Sequence, residues 1–334
     1  MHSSRKLFFP LNNGVEVRNQ TANFGIGKAS GYFQRKLNFF RDNKNLKREI
    51  RNINPEFIIS TNYFFTASLV LSKLHCYYKV INWEHTTFKV KRSCVWKIVS
   101  TYAYSRIHAI VALNDDEQSY YTKYNKQVYV IPNFIDLVNK RTTFQKKEIL
   151  TIARFEEDKG IDLLLLTAKY LFSSFPDWRW RIIANGVHSD EFRKTLEAFQ
   201  LTPFIVPQQP TSAMIPEFQH ASMIVMTSRR ESFGLVLVEA MSYGIPCIAF
   251  DCDTGPKHII SNNIDGLLIE RENPEKLAEA ISNLIKDKEK RSLMGEAAYK
   301  NVMRFSSDVI LKKWEDLFNF LLHSSSFRTA RKAS

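Results

Sequence analysis

Short apolar runs rich in β-branched residues alternate with longer segments of helical periodicity along the chain. Apolar runs of about five residues are typical of strands buried on both faces of a parallel sheet. Strands that alternate with helices predict βαβ units, and therefore doubly wound α/β sheets. The predicted strands are Glu56–Ser60, Lys79–Trp83, His108–Leu113, Gln127–Ile131, Glu148–Ala153, Trp178–Ala184, Phe204–Val206, Ser222–Thr227 and Ile245–Phe250.

The strand pattern stops after Ile131 and restarts at Glu148. The stretch between them begins with Pro132 and is polar, basic and without periodicity, which is typical of a link between domains. From Pro274 to His323 the pattern is almost wholly helical. We therefore predict an N-terminal Rossmann-like domain at 1–140, a second α/β domain at 141–310, and a C-terminal helix with a polar tail at 311–334.

The composition is that of a globular protein. The 334 residues are 44% hydrophobic and 13% aromatic, which is enough to bury two cores and excludes a disordered chain. The four cysteines form no C-x-x-C pair and have no histidine at metal-ligand spacing, so we expect a reduced, cytoplasmic protein. No run approaches the roughly 18 to 20 apolar residues of a membrane span, and the first residues lead into no signal-type apolar region.

Positive charge is concentrated in the first half of the chain. Residues 1–147 contain 24 Lys+Arg and 9 Asp+Glu, a balance of +15; the remainder contains 23 and 25, a balance of −2, which gives the net charge of +13. A basic domain favours an anionic partner, such as lipid, nucleic acid or a phosphorylated substrate. Lys28–Arg51 and Lys89–Arg106 combine basic and aromatic residues, which predicts either peripheral helices on the inner face of the cell membrane or core-packed helices with a solvated basic face.

The densest motif is Thr227–Met241, T-S-R-R-E-S-F-G-L-V-L-V-E-A-M. It follows a predicted strand and opens a helix near Phe233 or Gly234, at the edge where open α/β sheets bind ligands. A helix start presents free N–H groups, and glycine permits close approach of a ligand, so we predict a phosphate or sugar cradle. Glu231 precedes the helix, whereas Glu239 lies inside it and needs a polar partner if it is buried. The alternative is that Glu231 only supplies a negative charge that interacts favourably with the helix dipole, while Glu239 is solvated.

Two further groups are expected at the same cleft. Arg154 and Lys159 follow the first strand of the second domain, where a planar guanidinium and a compact ammonium can converge on a diphosphate. Glu84 and His85 directly follow a strand of the first domain, so both are expected to face the cleft between the domains. For His85, the alternative is a hydrogen bond within its own loop.

The run from Glu231 to Glu239 resembles the E-x7-E signature of the retaining family-4 glycosyltransferases. This resemblance implies the GT-B fold, in which two Rossmann-like domains face a cleft. It also implies that Glu231 contacts hydroxyls of the donor sugar and that Glu239 binds the ribose of the nucleotide. The N–H groups of Phe233, Gly234 and Leu235 would face the donor.

The resemblance extends to the cations and to the first domain. It implies that Arg154 and Lys159 bind the donor diphosphate and that His85 lies near the reacting sugar and the acceptor. The expected catalytic residues are thus Glu231, His85, Arg154 and Lys159. With two cations on the leaving group, neither a metal nor a cofactor is expected. Asp251-Cys252-Asp253 matches D-x-D literally, but its position in a loop of the family argues against a metal site.

The loop from Asp251 to Ile260, D-C-D-T-G-P-K-H-I-I, is similar to the D-C-x-x-G-P-x-E-I-I run of transferases that build bacterial surface glycans. His258 stands where that family usually has glutamate. The change is neutral if the side chain is solvated, which is the interpretation we favour; otherwise it alters a contact with the donor.

The implied activity is metal-independent, retaining transfer of a hexose or N-acetylhexosamine from a nucleotide-diphosphate sugar, UDP by family habit, to a glycan or lipid-linked acceptor of surface polysaccharide synthesis. A nucleotide-sugar epimerase or phosphorylase on the same fold is an alternative. A protein binding nucleic acid or an anionic surface is another, although no nucleic-acid motif is present and no such partner is expected. A third is an inactive homologue, because the family's first strand and Gly-rich loop would precede Lys6–Leu11, so that the first domain is expected to be incomplete.

Overall fold

The computed structural model describes residues 32–88, 94–138, 141–142, 144, 146–211 and 215–324, without the side chains of 32–40. Within these residues the chain builds two separate sheets, and every strand pair in both of them is parallel. The segment Lys6–Leu11, and the parts of the two basic segments at 28–31 and 89–93, lie outside the described residues.

The first sheet has four strands in the order β1-β2-β3-β4. Its strands are β1 (Phe57–Ser60), β2 (Lys79–Trp83), β3 (Ala109–Ala112) and β4 (Val128–Val130). Its helices are α1 (Tyr32–Ile53), α2 (Tyr63–Leu71), α3 (Cys94–Tyr104) and α4 (Asp115–Tyr121). All four residues of β3 are buried, as expected of a strand covered on both faces.

The second sheet has six strands in the order β10-β9-β8-β5-β6-β7. They are β5 (Glu148–Ile152), β6 (Arg179–Ile183), β7 (Ile205–Gln208), β8 (Met223–Met226), β9 (Cys247–Phe250) and β10 (Gly266–Ile269). The helices are α5 (Ile161–Phe172), α6 (Asp190–Ala198), α7 (Ile215–His220), α8 (Leu235–Ser242), α9 (Pro256–Ile259), α10 (Pro274–Lys286), α11 (Lys288–Val302) and α12 (Ser307–His323). Strand order reverses between β5 and β8, and such a switch point is where open α/β sheets bind ligands.

Each of the nine predicted strands coincides with an observed one, and the sequence pattern missed β10. Four residues beginning with glycine, directly after a polar loop, give too short an apolar run to be recognised. The helical stretch from Pro274 is three helices. The Asp287 side chain accepts a hydrogen bond from Lys290 N at 2.8 Å and so begins α11, and a 3₁₀ turn at Met303–Phe305 separates α11 from α12. The predicted boundary at 311 falls inside α12.

The last helix returns to the first sheet. Apolar side chains along one face of α12 pack against β2, β3 and the residue after β4. The residues in this cluster are Ile81, Ala109, Val111, Ile131, Ile310, Trp314, Leu317 and Leu321. The crossing is fixed by backbone hydrogen bonds from Ile135 N to Phe305 O (3.0 Å) and from Ser307 N to Ile135 O (3.1 Å). Helix α12 therefore completes the core of the first sheet.

None of the helices in the described part of the chain is long and apolar enough to cross a membrane. The longest, α1, has 22 residues and is strongly polar.

Replacing Trp314 with alanine is expected to lower the free energy of unfolding by about 3–5 kcal/mol, because its side chain is only 7% exposed and leaves a cavity against the sheet. Phe320 on the same helix is 49% exposed and provides the control, since its replacement by alanine should cost less than about 1 kcal/mol. Urea denaturation measures both. Equal losses would contradict the packing of α12 described above.

Candidate functional site

A cleft of about 340 Å³ lies between the carboxyl ends of the two sheets. The first-domain wall consists of His85, Thr86, Thr87, Leu113 and Asn133. The opposite wall consists of Arg154, Glu156, Asp158, Lys159 and residues 230–235. The structure thus brings together His85, Arg154, Lys159, Glu231, Phe233, Gly234 and Leu235, all of which were predicted to meet.

The loop between β8 and α8 is fixed by glycines at two positions. Gly234 has φ +101° and ends the loop, so that α8 begins at Leu235, close to the predicted start. Gly255 packs against the same loop: a Cβ there would lie 2.8 Å from both Glu231 Cβ and Phe233 O. Thr254 Oγ1 also donates a hydrogen bond to the Glu231 carbonyl. The loop therefore has little room to move relative to α9.

Lys159 and Glu231 are in direct contact. Lys159 Nζ lies 2.6 Å from Glu231 Oε1, and Ser228 Oγ donates to the same oxygen at 2.8 Å. The two side chains are only 16% and 13% exposed, so their attraction is less screened than that of a surface pair. A cation suited to phosphate and a carboxylate suited to sugar hydroxyls are thus held next to each other.

Arg154 shares the cleft but is held less tightly. Its Nη1 lies 3.1 Å from Glu156 Oε1, and the two side chains are more than half and about half exposed. A long, exposed guanidinium of this kind can reorient toward a ligand at little cost.

Glu239 lies one turn into α8 and does not line the cleft. Burial raises the pKa of its carboxyl to about 7. No hydrogen-bond donor to this carboxylate is found among the residues that the structure describes. The side chain is only partly buried, so solvent as well as a ligand can satisfy the carboxylate.

His85 and Glu84 point in opposite directions. His85 lines the cleft with its ring 4.4 Å from that of Trp83, and partial burial lowers its pKa, which favours the neutral imidazole at neutral pH. Glu84 is fully buried and accepts hydrogen bonds from Tyr104 OH (2.7 Å) and Thr86 N (3.2 Å). The expectation that Glu84 faces the cleft is wrong, because successive side chains of an extended segment alternate between opposite sides.

The sequence did not reveal two hydrogen bonds that join the cleft walls. Asn114 Nδ2 donates to Ser232 O at 2.9 Å, and Ser232 Oγ donates to His85 O at 2.9 Å. The Asn114 Oδ1 atom accepts from Glu117 N and so caps α4. An Asn followed by three acidic residues after a strand is the available sequence signal, but it indicates only the cap.

His258 also crosses between the domains. Its Nε2 lies 3.0 Å from Asp116 Oδ2 on α4, and Lys257 Nζ lies 2.6 Å from the same oxygen. The hydrogen bond from Lys257, and then that from His258, lower the pKa of Asp116 against the effect of burial. The favoured interpretation assumed a solvated side chain at position 258, and that assumption is wrong, because His258 is 21% exposed and pairs with Asp116. A glutamate at 258 would place a second carboxylate beside Asp116, which is repulsive.

One aspartate of the D-x-D sequence, Asp253, forms a salt bridge with Arg271. Asp253 Oδ1 lies 3.1 Å from Arg271 Nη1, while Asp251 is exposed. In the described ranges, no three His, Cys, Asp or Glu side chains lie close enough together to hold a metal ion. The expectation that the protein uses no metal stays a prediction.

Glu117 is a buried carboxylate directly behind the cleft wall that the sequence analysis did not single out. It is fully buried on α4, and its Oε2 accepts a hydrogen bond from Leu113 N at 3.2 Å. Its Oε1 has no hydrogen-bond partner among the described residues. Burial raises the pKa of Glu117 to about 8, against the effect of the Leu113 hydrogen bond. The side chain is therefore largely protonated at neutral pH.

Residues 137–301, about half of the chain, match the family described as glycosyl transferases group 1. An exopolysaccharide phosphotransferase of Streptomyces coelicolor is 35% identical over 58% of this chain, which spans only 21% of that relative. The amylovoran biosynthesis glycosyltransferase AmsD of Erwinia amylovora is 26% identical over 95% of this chain and 89% of its own length.

The crystal structure of Anabaena HepE in complex with UDP is similar over 84% of this chain and 82% of that one, with a TM-score of 0.75 and 16% sequence identity. This likeness and the two parallel sheets confirm the predicted GT-B fold. The roles of individual site residues stay predictions.

Replacing Glu117 with glutamine should flatten the pH dependence of stability. Because the folded protein holds this proton up to about pH 8 and the unfolded chain releases it near the ordinary value of 4.5, the free energy of unfolding falls as pH rises between these values. Glutamine carries no titrating proton, so this variant should gain stability relative to the unsubstituted protein at pH 9 compared with pH 5. Urea denaturation at both pH values measures the difference. The exposed Glu296→Gln variant is the control, and an unchanged slope in Glu117→Gln would contradict the assignment.

Proposed function

Because residues 137–301 form a glycosyl transferases group 1 domain within a GT-B fold, the chain is a transferase of this family, and we propose that it transfers a hexose or N-acetylhexosamine from a nucleotide-diphosphate sugar. The acceptor in this proposal is a glycan or lipid-linked sugar of bacterial surface polysaccharide synthesis. The contact between Lys159 and Glu231 carries the proposal, since it joins a cation suited to phosphate and a carboxylate suited to sugar hydroxyls in one cleft. The name of AmsD supports the polysaccharide context, and the UDP bound to HepE supports a UDP-linked donor.

The leaving nucleoside diphosphate gains negative charge as the glycosidic bond breaks. Lys159 is placed to stabilise that charge as it develops, and the exposed Arg154 can swing in to share it. The N–H groups at the start of α8 add a fixed positive potential on the same side. Glu231 would hold sugar hydroxyls. The resemblance assigns the ribose to Glu239, whose partly buried carboxylate lies one turn into α8 and outside the lining of the cleft.

The acceptor would approach from the first-domain wall. There the neutral imidazole of His85 can accept or donate a hydrogen bond, and Thr86 and Thr87 lie beside it in the cleft wall. Retention of the anomeric configuration follows in this proposal from the resemblance to the retaining family. We also propose that no metal is needed, because Lys159 and Arg154 together supply two positive charges for the diphosphate.

Peripheral contact with an anionic membrane is part of the proposal, at the inner face of the cell membrane. On α3, Val95, Ile98 and Tyr102 are spaced by three and four residues, and Val95 and Ile98 are 68% and 71% exposed. The first half of the chain has a charge of +15. An exposed apolar face on a basic domain is suited to a headgroup surface.

Replacing Lys159 with alanine is expected to lower turnover by roughly 10² or more while the fold is retained, as for other single electrostatic stabilisers. A screen of nucleotide sugars for donor hydrolysis, followed by transfer to lipid-linked acceptors, identifies the donor and measures the loss. Lys276→Ala is the matched control, because Lys276 pairs with Glu270 on the surface of the second domain. Near-normal turnover by Lys159→Ala would contradict the assignment of the diphosphate site.

Replacing Ile98 with glutamate should lower binding to vesicles that contain phosphatidylglycerol by more than tenfold, because one inserted isoleucine contributes about 1.5–3 kcal/mol. Flotation measures the bound fraction. Ile264→Glu serves as the control, since Ile264 is 65% exposed and belongs to the second domain. Equal binding by both variants would count against a membrane role for α3. Binding of an oligonucleotide without flotation would favour the nucleic-acid alternative.

A further inference from the structure

We propose that Arg229 is a positioning residue that fixes the spacing between the diphosphate-binding and sugar-binding parts of the donor site. The inference rests on the function proposed above. Arg229 does not line the cleft, so any effect it has on the donor must pass through its neighbours.

Two residues of the loop that follows β8, Thr227 and Arg229, bind the backbone of the 3₁₀ turn that carries Lys159. This turn, Glu157–Lys159, leads directly into α5. Its three consecutive carbonyl groups each accept a hydrogen bond from the loop. The donors are Arg229 Nη1 to Glu157 O (2.8 Å), Arg229 N to Asp158 O (2.8 Å) and Thr227 Oγ1 to Lys159 O (3.0 Å).

The Arg229 guanidinium also forms hydrogen bonds with the helix that follows the turn. Nη1 and Nη2 donate to the two oxygens of Asp162 at 2.8 and 2.5 Å, and Nε donates to Glu272 at 3.3 Å. Asp162 lies in the first turn of α5. A planar fork can make these bonds together, whereas a lysine ammonium cannot reproduce them. One side chain thus ties the β8 loop to both the 3₁₀ turn and α5.

The hydrogen bonds of Arg229 affect the donor site because Lys159 and Glu231 come from different βα units. Lys159 follows β5 and Glu231 follows β8, and their side chains meet at 2.6 Å. The backbones are also closely packed, since a Cβ at Gly160 would lie 2.1 Å from Thr227 O. Arg229 precedes Glu231 by two residues and hydrogen-bonds the carbonyl of Asp158, the residue before Lys159. It therefore fixes the position of Lys159 relative to Glu231.

Calorimetric titration with UDP tests the proposal through a double-mutant cycle. Arg229→Ala should weaken UDP binding at least tenfold in the unsubstituted chain, but less than threefold in a Lys159→Ala background, where there is no ammonium left to position. Arg229→Lys should bind UDP nearly as weakly as Arg229→Ala, because an ammonium keeps the charge but cannot make the hydrogen bonds of the guanidinium to the 3₁₀ turn and to Asp162. Asp162→Asn, which leaves the turn intact, should cause a smaller loss of the same kind.

Arg193→Ala is the matched control, because Arg193 makes an exposed pair with Asp190 on α6 and should bind UDP as the unsubstituted chain does. Urea denaturation of every variant verifies that each is folded at the assay temperature. Two results would overturn this inference but leave the proposed function standing. One is an equal loss of UDP affinity for Arg229→Ala in both backgrounds, and the other is an Arg229→Ala affinity within twofold of that of the unsubstituted chain. Failure of the unsubstituted chain to bind UDP or any other nucleoside diphosphate would overturn the proposed function and the inference with it.

Discussion

The burial of one face of α12 against the first sheet is the interaction on which the cleft depends. Two separate parallel sheets have no inherent reason to direct their carboxyl ends at each other. Here the chain leaves the second sheet through α11, crosses at Ser306, and buries Trp314 against β2 and β3. The Trp314 ring lies 5.2 Å from that of Trp83, which in turn lies 4.4 Å from the His85 ring. The hydrophobic contact that joins the sheets therefore also supports the cleft wall at His85.

Polar contacts then set how the walls meet. The hydrogen bond from Asn114 to Ser232 and the pairing of Asp116 with Lys257 and His258 both start from the beginning of α4. The Asp116 side chain is 39% exposed, so its pairs are partly screened and contribute orientation more than stability. Hydrophobic packing through α12 holds the domains together, while these polar contacts orient the two cleft walls.

The limits of the sequence follow from how far apart the contacting residues are along the chain. The strands and the E-S-F-G loop could be predicted because each depends on neighbours within about ten residues. The side chain of Glu84 was predicted on the wrong side because the direction of each side chain after β2 depends on where the strand ends. The roles of His258 and Arg229 could not be predicted, since their partners Asp116 and Asp162 lie 142 and 67 residues away. No local pattern distinguishes a surface arginine from one that clamps a distant turn.

In the proposed reaction, the charges that would bind the donor are in place before the chemistry begins. An ammonium held by a carboxylate and aimed into a cleft is already desolvated in part, so less desolvation would be needed when the diphosphate of this proposal gains charge beside it. The same pairing would limit the affinity for the proposed donor, because a phosphate oxygen would have to compete with Glu231 for Lys159. A sugar hydroxyl that donates to Glu231 reduces this competition, since it gives the carboxylate a new partner while the ammonium turns to the phosphate. Sugar and diphosphate would then bind more tightly together than either alone, which favours an intact nucleotide sugar over the free nucleotide.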